Sequence, residues 1–200
     1  MGSVMSDPLF DAEDDANTLL DPDERRQLIP TYITTRPQLN EAEQIGIANA
    51  DIWAFSRKLN VLDEAFLLAL HKRMLGDTWR WAGTIRTSER NIGVAAHEIR
   101  VRLRCVLDDA RYWVENETYP PDEIAVRFHH RLVSVHPFPN GNGRHARLAA
   151  DLLVVSLGRS RFPWGSAKPM PPAESRRLYI AALQAADARD INPLLVFSRS

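Results

Sequence analysis

The chain has 200 residues, a formal net charge of −1 and 44% hydrophobic residues, which suits one folded domain with its own core. A charge so close to neutral gives no electrostatic reason to expect direct binding of nucleic acid, because nucleic-acid binders are usually clearly basic. The single cysteine, Cys105, excludes an intramolecular disulfide and a cysteine-rich metal site.

No apolar run approaches the roughly 20 residues that a membrane-spanning helix needs, and the N-terminus lacks a secretory signal. We therefore expect a cytoplasmic protein without membrane contact. Residues 1–27 are rich in Asp and Glu and lack apolar periodicity. They predict either a solvated, flexible tail or an acidic arm that docks on an arginine-rich surface. The predicted organisation is an acidic tail over residues 1–27 and a single domain over residues 28–200.

Most of the chain beyond the tail has helical periodicity, with capping residues and breakers between the segments. Residues 85–101 instead mix β-branched side chains with Gly93, which predicts one short β-hairpin. The predicted fold is therefore all-α, a helical bundle with one small hairpin. Apolar positions in the first helix are supplied by Ile45, Ile47, Ile52, Trp53 and Phe55. Helices are predicted over residues 40–57, 63–75, 101–115 and 122–135, then up to Gly158, and finally over residues 172–188.

A short loop joins two strongly apolar helices and has the sequence HPFPNGNGRHAR over residues 136–147. Pro137 and Pro139 cannot continue a helix, so His136 falls at or just past a helix end. An unperturbed histidine has a pKa near about 6.5, which suits proton transfer at neutral pH. His136 is therefore the candidate general base.

The second half of this loop has the features of a phosphate site. Residues 140–143 tolerate positive φ, so their backbone N–H groups can turn inward around an anion. The helix that follows points its positive N-terminus at the same place. Arg144 and Arg147 lie on neighbouring positions of that helix face. Donors and charges that converge in this way suit phosphoryl-type transfer, where positioning and charge neutralisation do most of the catalytic work.

The loop closely resembles the Fic motif, HxFx(D/E)GNGRxxR. Residues 81–86, WAGTIR, also resemble the WAGxxR segment that precedes the flap of the Fic family, and the likeness covers roughly residues 50–197. Residues 33–44, together with Pro139 and Asn140, further resemble the bacterial subgroup called mobile mystery protein B. The motif positions that fall in register are His136, Phe138, Gly141, Asn142, Gly143, Arg144 and Arg147.

The resemblance implies a nucleotidyltransferase that moves a nucleoside monophosphate, expected to be AMP from ATP, to a hydroxyl side chain of a target protein. His136 would deprotonate that hydroxyl, which attacks the α-phosphate, and Phe138 would fix the loop in the core. Arg144 would hold the middle of the triphosphate and Arg147 its γ-phosphate. The phosphates would also be cradled by Asn140, Gly141, Asn142 and Gly143.

The flap is expected to align the target segment by strand-like pairing, with Thr87, Ile92 and Ile99 as contact residues. The subgroup resemblance also implies a small helix-turn-helix partner of the antitoxin kind, encoded alongside. The preferred base of the nucleotide, the target protein and the oligomeric state are left open, a homo-oligomer included.

Asn140 departs from the family pattern because it occupies the acidic position that normally helps to bind Mg²⁺ or Mn²⁺. An amide oxygen can ligate a hard cation but brings no charge. Either the phosphates of the nucleotide hold the metal, or the chain is a nucleotide- or partner-binding module with weak or lost catalysis. A phosphotransferase toxin like Doc is a further alternative, although Doc-like relatives carry a lysine where this chain has Gly143.

Many Fic proteins are restrained by a glutamate in the motif (S/T)xxxE(G/N), which pairs with the second motif arginine. The nearest match, residues 34–38, has glutamine in place of that glutamate. Inhibition would then come from a separate partner or, imperfectly, from this N-terminal region.

The other histidines have no pattern of metal ligands. His145 is expected to be an exposed helix residue, with contact to a base or phosphate as the alternative. His129 and His130 are interpreted as structural or solvent-facing residues, and His71 and His97 as residues without assigned function.

Overall fold

The computed structural model describes residues 22–57, 60–167 and 169–200. Over these residues the fold is helical, as predicted, and contains one short 3₁₀ helix at Ala96–Glu98. The α-helices are α1 Pro22–Arg25, α2 Arg36–Phe55, α3 Glu64–Leu75, α4 Ile99–Glu115, α5 Pro121–Val135, α6 Asn142–Ser156, α7 Pro172–Asp187 and α8 Asn192–Arg199.

The centre of the bundle is α5, which packs between α4 and α6, while α2 packs on α3 and α7 on α8. The side chains of Ala125, Val126 and Phe128 are fully buried on α5, and α6 adds the buried Ala149 and Val154. This core holds the end of α5 and the start of α6 rigidly beside each other. The short loop between them, residues 136–141, is therefore fixed at both ends.

The first predicted helix begins four residues earlier than expected, at Arg36 instead of Asn40. The side-chain oxygen of Gln38 accepts hydrogen bonds from the backbone N–H groups of Thr34 (2.9 Å) and Thr35 (3.1 Å). These bonds satisfy N–H groups that have no partner within the helix, so they set its start. Gln38 is thus a capping residue.

The buried face of α2 also differs from the predicted one. Ile45 and Ile52 are 58% and 68% exposed. The face toward α3 instead carries small residues, because the two helices approach closely. A Cβ atom added to Gly46 would lie 2.4 Å from the carbonyl oxygen of Met74, closer than any real Cβ contact. Close backbone packing has decided the orientation of this helix, against the pattern of its large apolar side chains.

The predicted hairpin is not formed, and residues 84–95 are an irregular segment that we call the flap. Its backbone carbonyls accept hydrogen bonds from a side chain in place of a neighbouring strand. The Arg86 guanidinium donates to the carbonyl oxygens of Ser88 (2.8 Å), Val94 (2.6 Å) and His136 (2.7 Å). Because one guanidinium satisfies these groups, no strand ladder is needed to do so.

The chain after residue 188, where no helix was predicted, forms the last helix, α8. Pro193 lies in its first turn, where the missing N–H group costs nothing, and Leu194 and Phe197 are buried against the bundle. Helices α3, α4, α5 and α7 begin and end within about two residues of the predicted bounds, which is the usual uncertainty of such boundaries.

The predicted acidic tail lies mostly outside the described residues, since residues 1–21 are not among them. Residues 22–27 are described, and Glu24 on α1 is buried against the flap. The backbone then continues to an isolated antiparallel bridge between Leu28 and Trp79. The packed part of the chain therefore begins before residue 28. The division into a tail and a single domain remains a prediction.

Candidate functional site

His136 ends α5 in a left-handed conformation, with φ 53° and ψ 60°. Its backbone N–H group still bonds to the carbonyl oxygen of Leu132 (3.3 Å), while Pro137 prevents a further helical turn. The left-handed turn directs the chain away from the α5 axis and toward α6. The His136 residue is only 6% exposed. The candidate base therefore lies beneath other residues and is not on an open surface.

The loop after His136 is held in shape by Asn142 and Phe138. The carboxamide of Asn142 accepts the backbone N–H of Phe138 (2.9 Å) and donates to its carbonyl oxygen (2.8 Å). Phe138 itself is fully buried, as an anchor of the loop should be. The Asn142 side chain is thus used within the loop, and only its backbone N–H group is available for a phosphate.

The N-terminus of α6 supplies the expected anion-binding donors. Gly141 precedes it with φ 78°, a conformation that favours glycine, and a Cβ atom there would lie 2.7 Å from Leu75. The N–H groups of Asn142, Gly143 and Arg144 belong to the first turn and have no helical acceptor. This helix has 15 residues, so its dipole adds partial positive charge at the same place.

The two arginines on α6 are partly exposed, and each contacts a side chain from a distant part of the chain. The Arg147 guanidinium lies over the Tyr179 ring, 5.3 Å from its centre, in a cation–π contact. Arg144 forms an ion pair with Glu43 of α2, with 2.7 Å between Nη1 and Oε2. The other carboxylate oxygen of Glu43 accepts the indole N–H of Trp79 (2.7 Å). Glu43 is therefore held firmly beside a candidate phosphate ligand.

Asn140 does not complete a metal site. Its side-chain oxygen accepts the backbone N–H of Gly141 at 2.6 Å and brings no negative charge. Within the described part of the chain, no three His, Cys, Asp or Glu side chains form a group that could hold a metal ion. The residues in place thus do not fit a metal ion held by protein ligands alone. An ion at this loop would need the oxygens of a bound nucleotide.

The flap covers His136. A Cβ atom on Gly93 would lie 2.5 Å from the His136 Cβ atom, so only glycine permits this close approach. Backbone bonds fasten both ends of the flap, from Arg86 N–H to the Pro137 carbonyl oxygen (2.9 Å) and from Val94 N–H to the Val135 carbonyl oxygen (3.4 Å). The base and the flap therefore belong to one packed unit.

Glu24 holds the outer side of the flap. Its carboxylate accepts the hydroxyl of Ser88 (2.9 Å) and forms an ion pair with Arg90. Of the predicted target contacts, Thr87 and Ile92 are exposed on the flap. Ile99 is different, because it begins α4 and is fully buried. The Ile99 side chain packs in the apolar core, so a target segment could not contact it.

Burial, together with the positive charges of Arg86 and Arg90, lowers the pKa of His136 to about 4. The expectation of an unperturbed pKa is therefore wrong for the ring in this closed arrangement. The ring is neutral at pH 7 and holds a lone pair that can accept a proton. A base with so low a pKa accepts that proton less readily than one near pH 7.

His145 is buried, against the expectation of an exposed residue. A ring nitrogen contacts the carbonyl oxygen of Leu67 (2.9 Å), and the ring packs edge-on against Phe138. The helix face of α6 that carries it points at α3, so His145 contacts neither a base nor a phosphate site. As expected, His129 is a structural residue, buried with a ring nitrogen 3.1 Å from the Tyr179 hydroxyl.

Sequence comparison assigns the family. The sequence model described as the Fic/DOC family matches residues 61–154, the region that contains the flap, the loop and most of α6. Residues 61–154 are therefore a Fic/DOC domain. It is 35% identical over 137 residues to protein adenylyltransferase fic-1 of Caenorhabditis elegans, a match that covers 64% of this chain and 25% of that protein. Protein adenylyltransferase Fic of Drosophila virilis is 28% identical over 135 residues, or 66% of this chain and 26% of that protein.

Solved Fic structures agree with this assignment. BepC, a VirB-translocated effector of Bartonella tribocorum solved with bound AMPPNP, matches with a TM-score of 0.68 at 16% identity, over 88% of this chain and 95% of that one. Such low identity shows the fold alone. A fragment of Fic-1 from C. elegans matches with a TM-score of 0.62 at 28% identity, over 88% of this chain and 51% of that one. This chain spans about a quarter of the length of the curated relatives.

The Fic loop brings His136, the α6 N-terminus, Arg144 and Arg147 to one end of the bundle. Three further residues at the Fic loop were not assigned from the sequence. They are Glu43, which pairs with a motif arginine, His71, which contacts the loop, and Tyr179, which lies under Arg147. No local motif marks the first two, because each acts across a packed helix pair. None of the described helices is long and apolar enough to cross a membrane.

Acid should unfold this Fic domain steeply. Burial holds the pKa values of His71, His129, His136 and His145 below the ordinary value, and those of His136 and His145 lie at about 4. The unfolded chain therefore binds more protons between pH about 6.5 and 4, so the stability present above that window is lost as the pH falls through it. Each ring that stays neutral in the folded state adds up to about 1.4 kcal/mol per pH unit to this slope.

Urea unfolding at pH 7, 6 and 5 measures this slope. His145→Gln should reduce this slope by roughly one proton, or about 1.4 kcal/mol per pH unit, because the buried His145 ring is held neutral. Equal stability at pH 7 and pH 5 would show that these rings are not held neutral.

Proposed function

We propose that the chain is a protein nucleotidyltransferase of the Fic type, which moves AMP from ATP to a hydroxyl side chain of a target protein. The main support is the neutral His136 ring, one short loop away from the N-terminus of α6 and its two arginines. The curated relatives named protein adenylyltransferase add to this support over the part of their length that the chain matches.

In the proposed reaction, the target hydroxyl oxygen forms a bond to the α-phosphorus of ATP. The bond from that phosphorus to the bridging oxygen of pyrophosphate breaks, and pyrophosphate leaves. The hydroxyl proton passes to His136. The N–H groups of α6, with Arg144 and Arg147, would neutralise the charge that gathers on the departing pyrophosphate. Phe138 would keep this loop in place, since its ring is fully buried.

The contact roles of the loop follow the same proposal. The backbone of Asn140, Gly141, Asn142 and Gly143 would surround the phosphates. Arg144 would hold the middle of the triphosphate, and Arg147 would hold its γ-phosphate. Mg²⁺ or Mn²⁺ would accompany ATP, held mainly by the phosphate oxygens. Thr87 and Ile92, both exposed on the flap, would contact the target segment.

Two functions are alternatives to nucleotidyl transfer. Asn140 favours a nucleotide- or partner-binding module, because it removes the charge that a metal ligand would supply. Phosphotransfer in the manner of Doc is the other. It is disfavoured by Gly143, where Doc-like relatives carry lysine, although a Cβ atom there would meet nothing closer than the Tyr179 hydroxyl at 3.6 Å.

The wider setting that the subgroup resemblance implies is a bacterial toxin–antitoxin pair in the cytoplasm, with a small helix-turn-helix protein as the antitoxin. Most of residues 33–44 lie in the first part of α2, and they include Glu43. Co-expression of the two proteins tests the pairing. The pairing is wrong if they neither purify together nor change the rate of transfer.

His136→Ala should abolish transfer. Loss of a general base slows a reaction by about 10²–10⁴-fold, so label from ATP should fall to background. ATP labelled at the α-phosphate and ATP labelled at the γ-phosphate are offered in parallel with Mg²⁺ or Mn²⁺ and cell lysate. Nucleotidyl transfer incorporates only the α-label. The exposed His97→Ala is the matched histidine control and should keep the parent rate.

Each remaining outcome of this experiment selects a different function. Incorporation of the γ-label alone would establish phosphotransfer. Equal α-labelling by the parent and by His136→Ala would remove His136 from the mechanism. Binding of ATP without any transfer or need for metal, measured by calorimetry, would establish the binding module.

Asn140→Asp should raise metal-dependent transfer, because a carboxylate adds charge and a hard oxygen at the position next to the phosphates. We expect a gain of roughly tenfold at limiting Mg²⁺, the scale on which one ligand interaction changes metal affinity. The added carboxylate can still accept the Gly141 N–H, so the loop should keep its shape. Asn140→Ala is the control and should show no gain. If both variants transfer AMP at the same rate as the parent, a weakened metal site does not limit the transfer rate of this chain.

Glu43→Gln should strengthen ATP binding and weaken the fold. Removing a negative charge beside Arg144 should raise ATP affinity by about tenfold, or about 1.4 kcal/mol. The amide group cannot accept from both Trp79 and Arg144, so unfolding should become easier by about 1–3 kcal/mol. Calorimetry with ATP and urea unfolding measure the two effects. Glu41→Gln, exposed on the same helix, is the control, and weaker ATP binding by Glu43→Gln would instead make Glu43 an aid to binding.

A further inference from the structure

His71 lies fully buried between two loops that come from different parts of the chain. Its Nδ1 atom accepts the backbone N–H of Gly83 at 2.9 Å. Its Nε2 atom is 3.0 Å from the carbonyl oxygen of Asn140. The ring stacks on Phe138, with 3.7 Å between centres and 13° between planes. Both ring nitrogens of His71 therefore bond to loop backbone, and the face of the ring packs against Phe138, which anchors the Fic loop.

The two partners define the protonation of the ring. A backbone N–H can only donate, so Nδ1 must be unprotonated to accept from Gly83. A carbonyl oxygen can only accept, so Nε2 must carry the proton that is donated to Asn140. Both requirements are met by one neutral tautomer. Burial and the nearby positive charge of Arg144 also lower the pKa of His71 and keep the ring neutral.

The loop at Gly83 and the loop at Asn140 have different roles in the proposed function. Gly83 lies immediately before the flap, with φ 80°, in a turn that fixes where the flap begins. Asn140 is the first of the four residues that surround the phosphates. A shift of the loop that moves the Asn140 carbonyl must strain or break its bond to Nε2, and the rigid ring passes that displacement to Gly83.

We propose that His71 is a positioning residue that links the phosphate-binding residues 140–143, which we call the phosphate loop, to Gly83 at the base of the flap. A triphosphate bound at the phosphate loop would thereby stabilise the flap that receives the target. The identity of the ligand rests on the proposed function, whereas the tie itself rests on the two bonds and the stacked ring. ATP binding and target alignment are thereby coupled through one side chain.

His145 provides the comparison that separates this role from simple packing. It is buried in the same cluster, 5.6 Å from His71 between ring centres, and it also packs against Phe138. It contacts the Leu67 carbonyl oxygen within α3, and its Nδ1 atom has no hydrogen-bond partner among the described residues. His145 therefore joins one helix to another and does not join the phosphate loop to the flap. His145→Phe should disturb the core about as much as His71→Phe without cutting the tie.

The first test measures ATP affinity and amide hydrogen exchange in the full chain, at a temperature where both variants are folded. In the parent, ATP should slow exchange over residues 140–143 and over the flap. His71→Phe keeps a stacking ring but loses both bonds, so ATP should bind about tenfold more weakly and should no longer slow exchange in the flap. His145→Phe should stay within about twofold of the parent affinity and should keep the coupling. Retained protection of the flap in His71→Phe, or equal effects of both variants, would overturn the proposal.

A second test needs no nucleotide. Long-range ¹H–¹⁵N spectra of the parent at pH 7 should show His71 with the proton on Nε2, and without ATP the amides of Gly83 and residues 140–143 should exchange faster in His71→Phe than in His145→Phe. The opposite tautomer, a charged ring, or equal exchange in the two variants would exclude the tie. Failure of the parent to bind ATP would instead count against the proposed function alone, because these measurements still decide the role of His71.

Discussion

The shape of the candidate site depends on the pair of hydrogen bonds between the Asn142 carboxamide and the backbone of Phe138. Two buried helices, α5 and α6, must be joined by only six residues, and the histidine at the end of one must lie near the N-terminus of the other. Because both bonds are buried, leaving either group without a partner would cost desolvation energy that nothing nearby could recover. The loop therefore has one low-energy path. Phe138 is fixed in the core, and the N–H groups of α6 remain turned outward.

Positive charges at the site are balanced by buried carboxylates. The helix N-terminus, Arg144 and Arg147 create a strongly positive region, which suits a polyphosphate but is costly to assemble without counter-charge. Glu43 supplies that counter-charge beside Arg144. On the flap, Glu24 does the same for Arg90. Both carboxylates are buried, so water screens their ion pairs less than it screens pairs on the open surface. A phosphate that binds Arg144 must therefore compete with Glu43 for its guanidinium.

The helical architecture and the phosphate loop could be predicted because both are encoded locally. The loop carries its signal within twelve residues, and Asp63 before α3 or Pro172 in α7 marks a helix start directly. The outward face of α2 could not be predicted, because close contact with Met74 selects Gly46 over the larger side chains. Nor could the Glu43–Arg144 pair, whose partners lie 101 residues apart. A histidine such as His71 has no sequence signature, since its tautomer is set by two backbone groups that only the fold brings together.

The flap shows why an irregular segment can be as well defined as a hairpin. Arg86 bonds to three carbonyl oxygens, one of which belongs to His136, so the same guanidinium that shapes the flap also holds the candidate base. Because Arg86 lies so close to His136, its charge also affects the pKa of the His136 ring. Burial and the charges of Arg86 and Arg90 keep the pKa of His136 at about 4 while the flap covers it. Because burial is the largest of these causes, any movement of the flap that admits water to the ring raises that pKa toward its ordinary value. The position of the flap and the strength of the base are therefore physically linked, and a target that displaces the flap would meet a stronger base than the covered site contains.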